Sequence, residues 1–519
     1  MIRIFPIIAG TGETPKNHFI DAENTLVECW KGFGTVEKMI ERIRMRFGFA
    51  ITLIVWFCEP ILGQDAAEDH LSERRGSFAS FTAGHSITDE FAALKTAIEE
   101  QSVKLSSLEG DIKAKVSPGS SAATMKLVGR VHADYWGFPE TSPGIDALEG
   151  GAGPQDRLGF RRVRFGVRGD LPSNMEYRIE MEFAGGNKSE FRDAWLGFNS
   201  LPFFQKILIG NQKRPFGLDH LNSSRFNIFL ERPFVIESFN QDARRLGIQS
   251  YGVSEDLAWN WRYGVFNQRL IQDEGNYTNA HWQPQVAGRL AKTWWYDEAS
   301  DGRSYGHIAV SSNFAFPDGS TPSDNGSVGP DANEARFRTK PEARAASRWL
   351  DTGAIAGADH YDMLGVEKVL NFGSLQIGGE YQTIMLSRDA GMGPDVNLYG
   401  GYVYTSYFLT GEHMPWSRKS GTLSRIKPLQ NFYWINTENG CRERGLGAWQ
   451  IAFRYSWADF NSDNVLGGEG ESLTAGLNWY WSPNARMQFN YIHGSIVDKG
   501  AIGTGGDYDI IGTRFMVDF

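Results

Sequence analysis

From Met125 to Phe519 the apolar residues recur at every second position, in short runs broken by Gly, Pro, Asn and Asp. Successive side chains of a strand point to opposite faces, so each run has one apolar and one polar side. In 257–265, Leu257, Trp259, Trp261, Tyr263 and Val265 oppose Asn260 and Arg262. In 473–481, Leu473, Ala475, Leu477, Trp479 and Trp481 oppose Thr474, Asn478 and Tyr480. In the last run Ile511, Thr513, Phe515, Val517 and Phe519 oppose Arg514 and Asp518. Sixteen runs follow the rule, at 125–136, 158–170, 173–184, 190–200, 205–213, 243–254, 257–268, 285–295, 305–316, 360–371, 374–386, 398–411, 447–458, 471–482, 485–496 and 508–519.

A two-sheet sandwich also alternates, but here the polar face carries many charges, as a wet lumen would. An even number of long alternating runs is what a bacterial outer-membrane barrel requires. The pattern therefore predicts an all-β fold, a 16-stranded antiparallel transmembrane β-barrel over 125–519, with outer-membrane lipid against its apolar face. Trp136, Trp294, Trp295, Tyr402, Trp479 and Trp481 crowd run ends, where interfacial girdles belong. The chain ends on Phe519, in line with Phe515 and Val517.

Composition narrows the function. With 52 Lys and Arg against 62 Asp and Glu, a formal charge of −10 disfavours nucleic acid as a partner. Three cysteines, Cys29, Cys58 and Cys441, form neither a CxxC pair nor a disulfide framework. The ten histidines, His132, His220, His281 and His307 among them, stand in no HExxH or GxSxG setting. No Walker or Rossmann glycine pattern follows a strand and opens a helix. Catalytic residues, metal and cofactors are not expected, and an outer-membrane enzyme is disfavoured.

Ahead of the barrel, Arg42, Arg44 and Arg46 precede the apolar run Phe47–Phe57, which is too short to span a bilayer as a helix. Pro60 and Gly63 follow, and 39–64 reads as a secretory signal peptide, although Ile61 is a poor residue before a cut. Met39 or Met45 is then the expected start, with 1–38 an overextended start or pre-signal segment; the rival reading is a buried helix of a small N-terminal domain. Within 86–116, Ile87, Phe91, Leu94, Ile98, Gln101, Leu105, Leu108 and Ile112 alternate spacings of four and three, a coiled-coil seam implying self-association as a homotrimer or dimer. An amphipathic helix lying on the main domain is the alternative.

Turn lengths test the topology, since periplasmic turns are short and external loops long. The turns after the second, sixth, tenth and fourteenth runs are short, and 214–242 and 317–359 are long loops on the opposite side. One connection disagrees: 412–446 falls where a short turn belongs, so either it folds into a plug or ledge or the strand count slips there.

IGNQKRPFGL at 209–218, FLERPF at 229–234, DARRLGIQ at 242–249, TGEH at 410–413, RIKP at 425–428 and GAWQIAFRYSWADF at 447–460, in that order, resemble the phosphate-selective porin family of the O and P type. The resemblance covers about 125–519. It implies a homotrimer and a pore selective for phosphate, polyphosphate or other small anions, with arginines along the lumen and lysines at the mouth.

Anion selectivity comes from rows of Arg and Lys that replace lost hydration, and the planar fork of Arg suits phosphate. In FRRVRFGVRGDL, lipid-facing Val163, Phe165 and Val167 place Arg162, Arg164 and Arg168 inward by parity, as Arg178, Arg262 and Arg454 are in their own runs. The 214–242 loop is long enough to form a constriction, and Lys213, Arg214, Arg232, Arg244 and Arg245 stand at its ends. Arg336, Arg338, Lys340, Arg344 and Arg348 form an outer anion collector. Against this, Glu176, Glu180 and Glu182 share the face of Arg178, which reads equally as a solvated ladder of pairs, and Glu231 beside Arg232 reads as a structural loop pair. A general diffusion porin with little selectivity, or an envelope-structural barrel tethered by its coiled coil, are the competing functions.

Overall fold

The computed structural model describes residues 123–519 except 186–188, 241–243, 272–281, 320–334, 437–441 and 501–503. The expected pre-signal segment, signal peptide and coiled-coil helix lie outside the described residues. The alternating runs become strands β1 Lys126–Thr141, β2 Arg157–Leu171, β3 Met175–Glu182, β4 Glu190–Leu201, β5 Gln205–Gln212, β6 Arg245–Val253, β7 Trp259–Asn267 and β8 Pro284–Tyr296. They continue as β9 Ser304–Ala315, β10 Ala358–Phe372, β11 Leu375–Arg388, β12 Val396–Phe408, β13 Ala448–Ser462, β14 Val465–Ser482, β15 Ala485–Lys499 and β16 Thr504–Asp518. Each pairs with the next, and β16 pairs antiparallel with β1, so the sheet closes into one 16-stranded barrel. All sixteen expected runs fall on these strands.

The two faces divide as the alternation requires. Leu473, Phe453, Tyr263 and Phe515 are exposed on the outer wall, while Thr474, Asn478, Arg454 and Arg514 are buried on the inner one. At closure, Gly129 and Phe519 exchange backbone hydrogen bonds of 3.0 and 3.2 Å. A Cβ on Gly129 would stand 2.3 Å from the Phe519 ring, so the terminal aromatic lies over a position that only glycine leaves open. One irregularity changes the parity. His132 faces Arg162 and Ala133 faces Phe160, so Arg161 is an extra residue in β2 and joins Arg162 on the inner side.

Three segments fill the lumen. The 213–244 loop carries helices of 218–221 and 234–239, and buries Phe216, Leu230, Phe234 and Ile236. The second segment, 335–357, holds the ribbon Arg338–Thr339 with Leu350–Asp351. Its Glu342 carboxylate is fully buried, taking a 2.6 Å bond from Arg454, one from Ser472 at 2.9 Å and one from the Phe234 N–H at 3.1 Å.

The third segment is the long connection on the short-turn side, which folds back into the barrel while the strand count stands. Trp416 stacks on Tyr305 at 5.2 Å, lies 4.5 Å from the His307 ring and donates to Thr293 at 3.1 Å. Asn260, Arg262 and Arg289 on the wall donate to the carbonyls of Lys419, Ser420 and Gly421. The Leu423 N–H then donates to Asn222 at 3.0 Å, joining this segment to the loop entering from the other end.

Candidate functional site

Guanidinium groups dominate the inner wall of β1–β4, β15 and β16, and their carboxylate partners are shared. Glu180 accepts from Arg130 at 3.0 Å, Arg178 at 2.8 Å and Arg164 at 3.3 Å. Arg164 also holds Glu182 at 2.6 Å. Arg178 reaches Asp193 at 3.3 Å, a carboxylate it shares with Arg244, so in this cluster four guanidiniums meet three carboxylates among the described residues. Arg162 adds to the surplus: it is buried, has no carboxylate within ion-pair distance among the described residues, and lies 3.5 Å from His132 Nδ1. Arg168, on the same face, is exposed near the short-turn end of β2. The inward row expected from parity is present, and so is the ladder of pairs; both descriptions hold of the same wall.

Glu231 links the wall to the constriction loop. Its carboxylate takes two bonds from Arg161, at 2.7 and 3.0 Å, and one from Arg514 at 2.7 Å, while Arg514 also grips Asp134 at 2.6 and 2.7 Å. Burial would raise the Glu231 carboxyl, but Arg161 and Arg514 hold it well below the usual carboxylate range. The loop pairing of Glu231 with Arg232 does not occur. Arg232 instead donates to the carbonyls of Asp219 and Asn222, because the chain turns its side chain back toward the 218–221 helix.

The other loop cations are structural anchors. Lys213 donates to the carbonyls of His220, Leu221 and Asn222 at 2.7–2.9 Å, the orphan acceptors of a helix end. Arg214 is buried on Gln285, Asn240 and the Phe239 carbonyl, and Arg244 forms a two-pronged pair with Asp193. Arg245 is half-buried at the start of β6. Arg262 lies 4.6 Å over the Tyr251 ring while it holds the returning connection. Arg454 lies 4.5 Å over Phe229 and binds Glu342.

At the long-loop mouth Lys340 and Arg344 share their surroundings with Arg157 and Arg348, with Glu237 among them. Burial, reinforced by Arg344 and Arg157, brings the Lys340 ammonium down to about 8. The nearby Arg161 and then burial lower Arg344. The Arg344 shift marks crowded like charge, and crowded cations attract anions. Arg336 is instead paired with Asp351 at 2.6 Å, and Arg338 is half-buried in the ribbon. Parity alone missed Arg161, which the bulge turns inward. Arg130 and Arg486 were legible from the same alternation, and Arg514 stands on the polar face of the last run.

Known proteins match this architecture. The model of the family "Phosphate-selective porin O and P" matches residues 125–519. An uncharacterized protein of Caulobacter vibrioides is 25% identical over 434 residues, covering 80% of this chain and 78% of its own. Among solved structures, the trimer form of OmpT from Vibrio cholerae is 11% identical with a TM-score of 0.46, covering 77% of this chain and all (100%) of its own. An anion-selective porin from Comamonas acidovorans is 14% identical with a TM-score of 0.44, over 77% of this chain and 100% of its own. The family match spans the whole closed barrel and points to a channel rather than an enzyme: the chain belongs to the phosphate-selective porin O and P family, and is a porin of the bacterial outer membrane.

Proposed function

We propose that the barrel passes small anions without an energy source, with phosphate or polyphosphate the favoured solute, and that it works as a homotrimer. The observation carrying this reading is the arginine excess of the inner wall, where among the described residues Glu180, Glu182 and Asp193 are shared by four arginines and Arg162 has no carboxylate within ion-pair distance. Planar guanidiniums bind phosphate oxygens in pairs, so surplus arginine favours that anion over a spherical one. The mouth around Lys340 and Arg344 raises the local anion concentration before entry.

The test is the reversal potential of purified protein in planar bilayers under a KCl gradient, followed by phosphate titration. An anion-selective current that phosphate blocks is expected. Arg162→Gln should reduce the preference without freeing a carboxylate, whereas Arg164→Gln also releases Glu182. A large, weakly selective current indifferent to phosphate would make the chain a general diffusion porin.

A further inference from the structure

Beyond Ile426, the last buried residue of its lumen part, the returning connection comes to lie against the outside of the barrel. There it forms a small hairpin, in which the strand Tyr433–Asn436 pairs with Arg442–Gly445. Both arms are welded to the outer wall at the short-turn end. On the first, the Phe432 N–H donates to the Trp481 carbonyl at 2.7 Å, and the Phe432 ring meets Trp479 edge-on at 4.6 Å. On the second, the Leu446 carbonyl accepts from the indole N–H groups of Trp449 and Trp479, at 3.2 and 2.9 Å. Those two indoles stack at 4.9 Å, and Trp481 reaches Phe515 at 5.6 Å, so the hairpin rests on a girdle of outward-facing rings.

The hairpin is not patterned for water. Phe432, Tyr433, Trp434 and Ile435 are consecutive, and side chains of an extended chain alternate between faces, so large apolar groups fall on both. A hairpin bathed in water keeps one face polar, and packing on the wall can use only the other. Tyr433 is 51% exposed, its ring 5.9 Å from that of Phe432, and Leu446 is 69% exposed. Both adjoin the tryptophan girdle, and such girdles mark the boundary between hydrocarbon and headgroups. The exposed apolar surface of the hairpin is therefore continuous with a wall that lipid already covers. Glu438 and Glu443 balance Arg442 and Arg444, so the hairpin carries no net charge to direct it to an ionic partner.

We propose that this hairpin is an interfacial foot, docked on the phospholipid of the periplasmic leaflet with Tyr433 and Leu446 in the boundary between headgroups and acyl chains. Amphipathic segments bind such boundaries by the apolar area they bury there. A single connection then serves two surfaces: its first half packs the lumen through Trp416 and Leu423, and its second half is held by the membrane. Lipid thereby fixes the outer end of the segment that fills the pore. The inference does not depend on which solute the barrel passes.

The experiment places a nitroxide at Tyr433→Cys or Leu446→Cys, in protein carrying Cys29→Ser, Cys58→Ser and Cys441→Ser, reconstituted in phosphatidylcholine vesicles. Power-saturation EPR then compares relaxation by O2, which concentrates in hydrocarbon, with relaxation by a water-soluble nickel chelate. Phe453→Cys on the exposed outer wall gives the lipid reference, and Ser173→Cys in the short turn after β2 gives the water reference. Heat-modifiable migration in detergent shows that each barrel is intact. At both hairpin positions the ratio of O2 to nickel relaxation should rise above that of Ser173→Cys toward that of Phe453→Cys. Phe432→Ser, which takes the ring away from Trp479 and Trp481, should shift both ratios back toward water. A ratio no higher than the water reference at either position, or ratios unmoved by Phe432→Ser, would overturn the foot. Shielding from both relaxants would also overturn it, and would assign this face to a second copy of the chain.

Discussion

Removing the charge of Glu231 tests whether local charge sets selectivity. Glu231→Gln keeps the shape and one acceptor oxygen but leaves Arg161 without a carboxylate, whereas Arg514 retains Asp134. A close pair at an effective dielectric constant near 20 is worth about 4 kcal/mol. Arg161 is 22% exposed, so solvent screening brings the loss for the loop clamp to about 2 kcal/mol. For a permeating ion about 8 Å away in water, one charge is worth about 0.5 kcal/mol, and deleting it favours an anion and disfavours a cation alike. Screening at 0.1 M salt roughly halves this, leaving a rise of about twofold in the chloride-to-potassium permeability ratio. Reversal potentials under a KCl gradient measure that ratio directly, and heat-modifiable migration in detergent reports whether the barrel is intact. A ratio that is unchanged or lower in an intact barrel would refute the reasoning, since ions would then pass beyond reach of the Arg161 guanidinium.

Lys340, brought down to about 8, is charged below that pH and neutral above it, so anion preference should fall as pH rises through about 8. Lys340→Arg should remove the step; a native profile flat from about pH 6 to 10 would count against a role for this ammonium. Trp416→Ala should cost the returning connection about 3 kcal/mol of local packing and raise single-channel conductance; unchanged conductance would place that segment outside the ion path. A barrel lacking 65–118 should lose trimers in detergent if the heptad holds them together, and retained trimers would make it dispensable.

Fold and site were unequally legible. Alternation exposed every strand because a barrel wall must be apolar outside and polar inside along its whole length. It failed at glycine-rich ends: β14 begins at Val465 and β16 at Thr504, ahead of the expected 471 and 508, where Gly467, Gly468, Gly505 and Gly506 carry no side chain to mark a face. Parity found Arg162 and Arg164 but could not foresee a bulge, which shifts the count by one and turned Arg161 inward. The returning connection was opaque for another reason. Met414, Trp416, Leu423 and Ile426 are all buried, yet they follow no period, because an irregular segment packs wherever the wall has room. Lys213, Arg214 and Arg244 had the right residue type, but only the folded loop shows that carbonyls and Asp193 already occupy them.

A chain with a net charge of −10 can still select anions, because an ion in a narrow lumen feels the nearest few charges and not the sum. Some of the acidic residues stand away from the inner wall. Asp359 and Glu298 stand exposed at a strand end and in a turn, where water screens them. On β3, β4 and the constriction loop, Glu180, Glu182, Asp193 and Glu231 are each held by arginine. A carboxylate locked in this way fixes guanidinium geometry and cancels one charge, but it cannot turn to meet a cation. Arranging several arginines around fewer acids therefore yields a wall that is rigid and positive together. Adding free lysines would have raised the charge without the rigidity, since an ammonium on a four-carbon stem stays mobile in water.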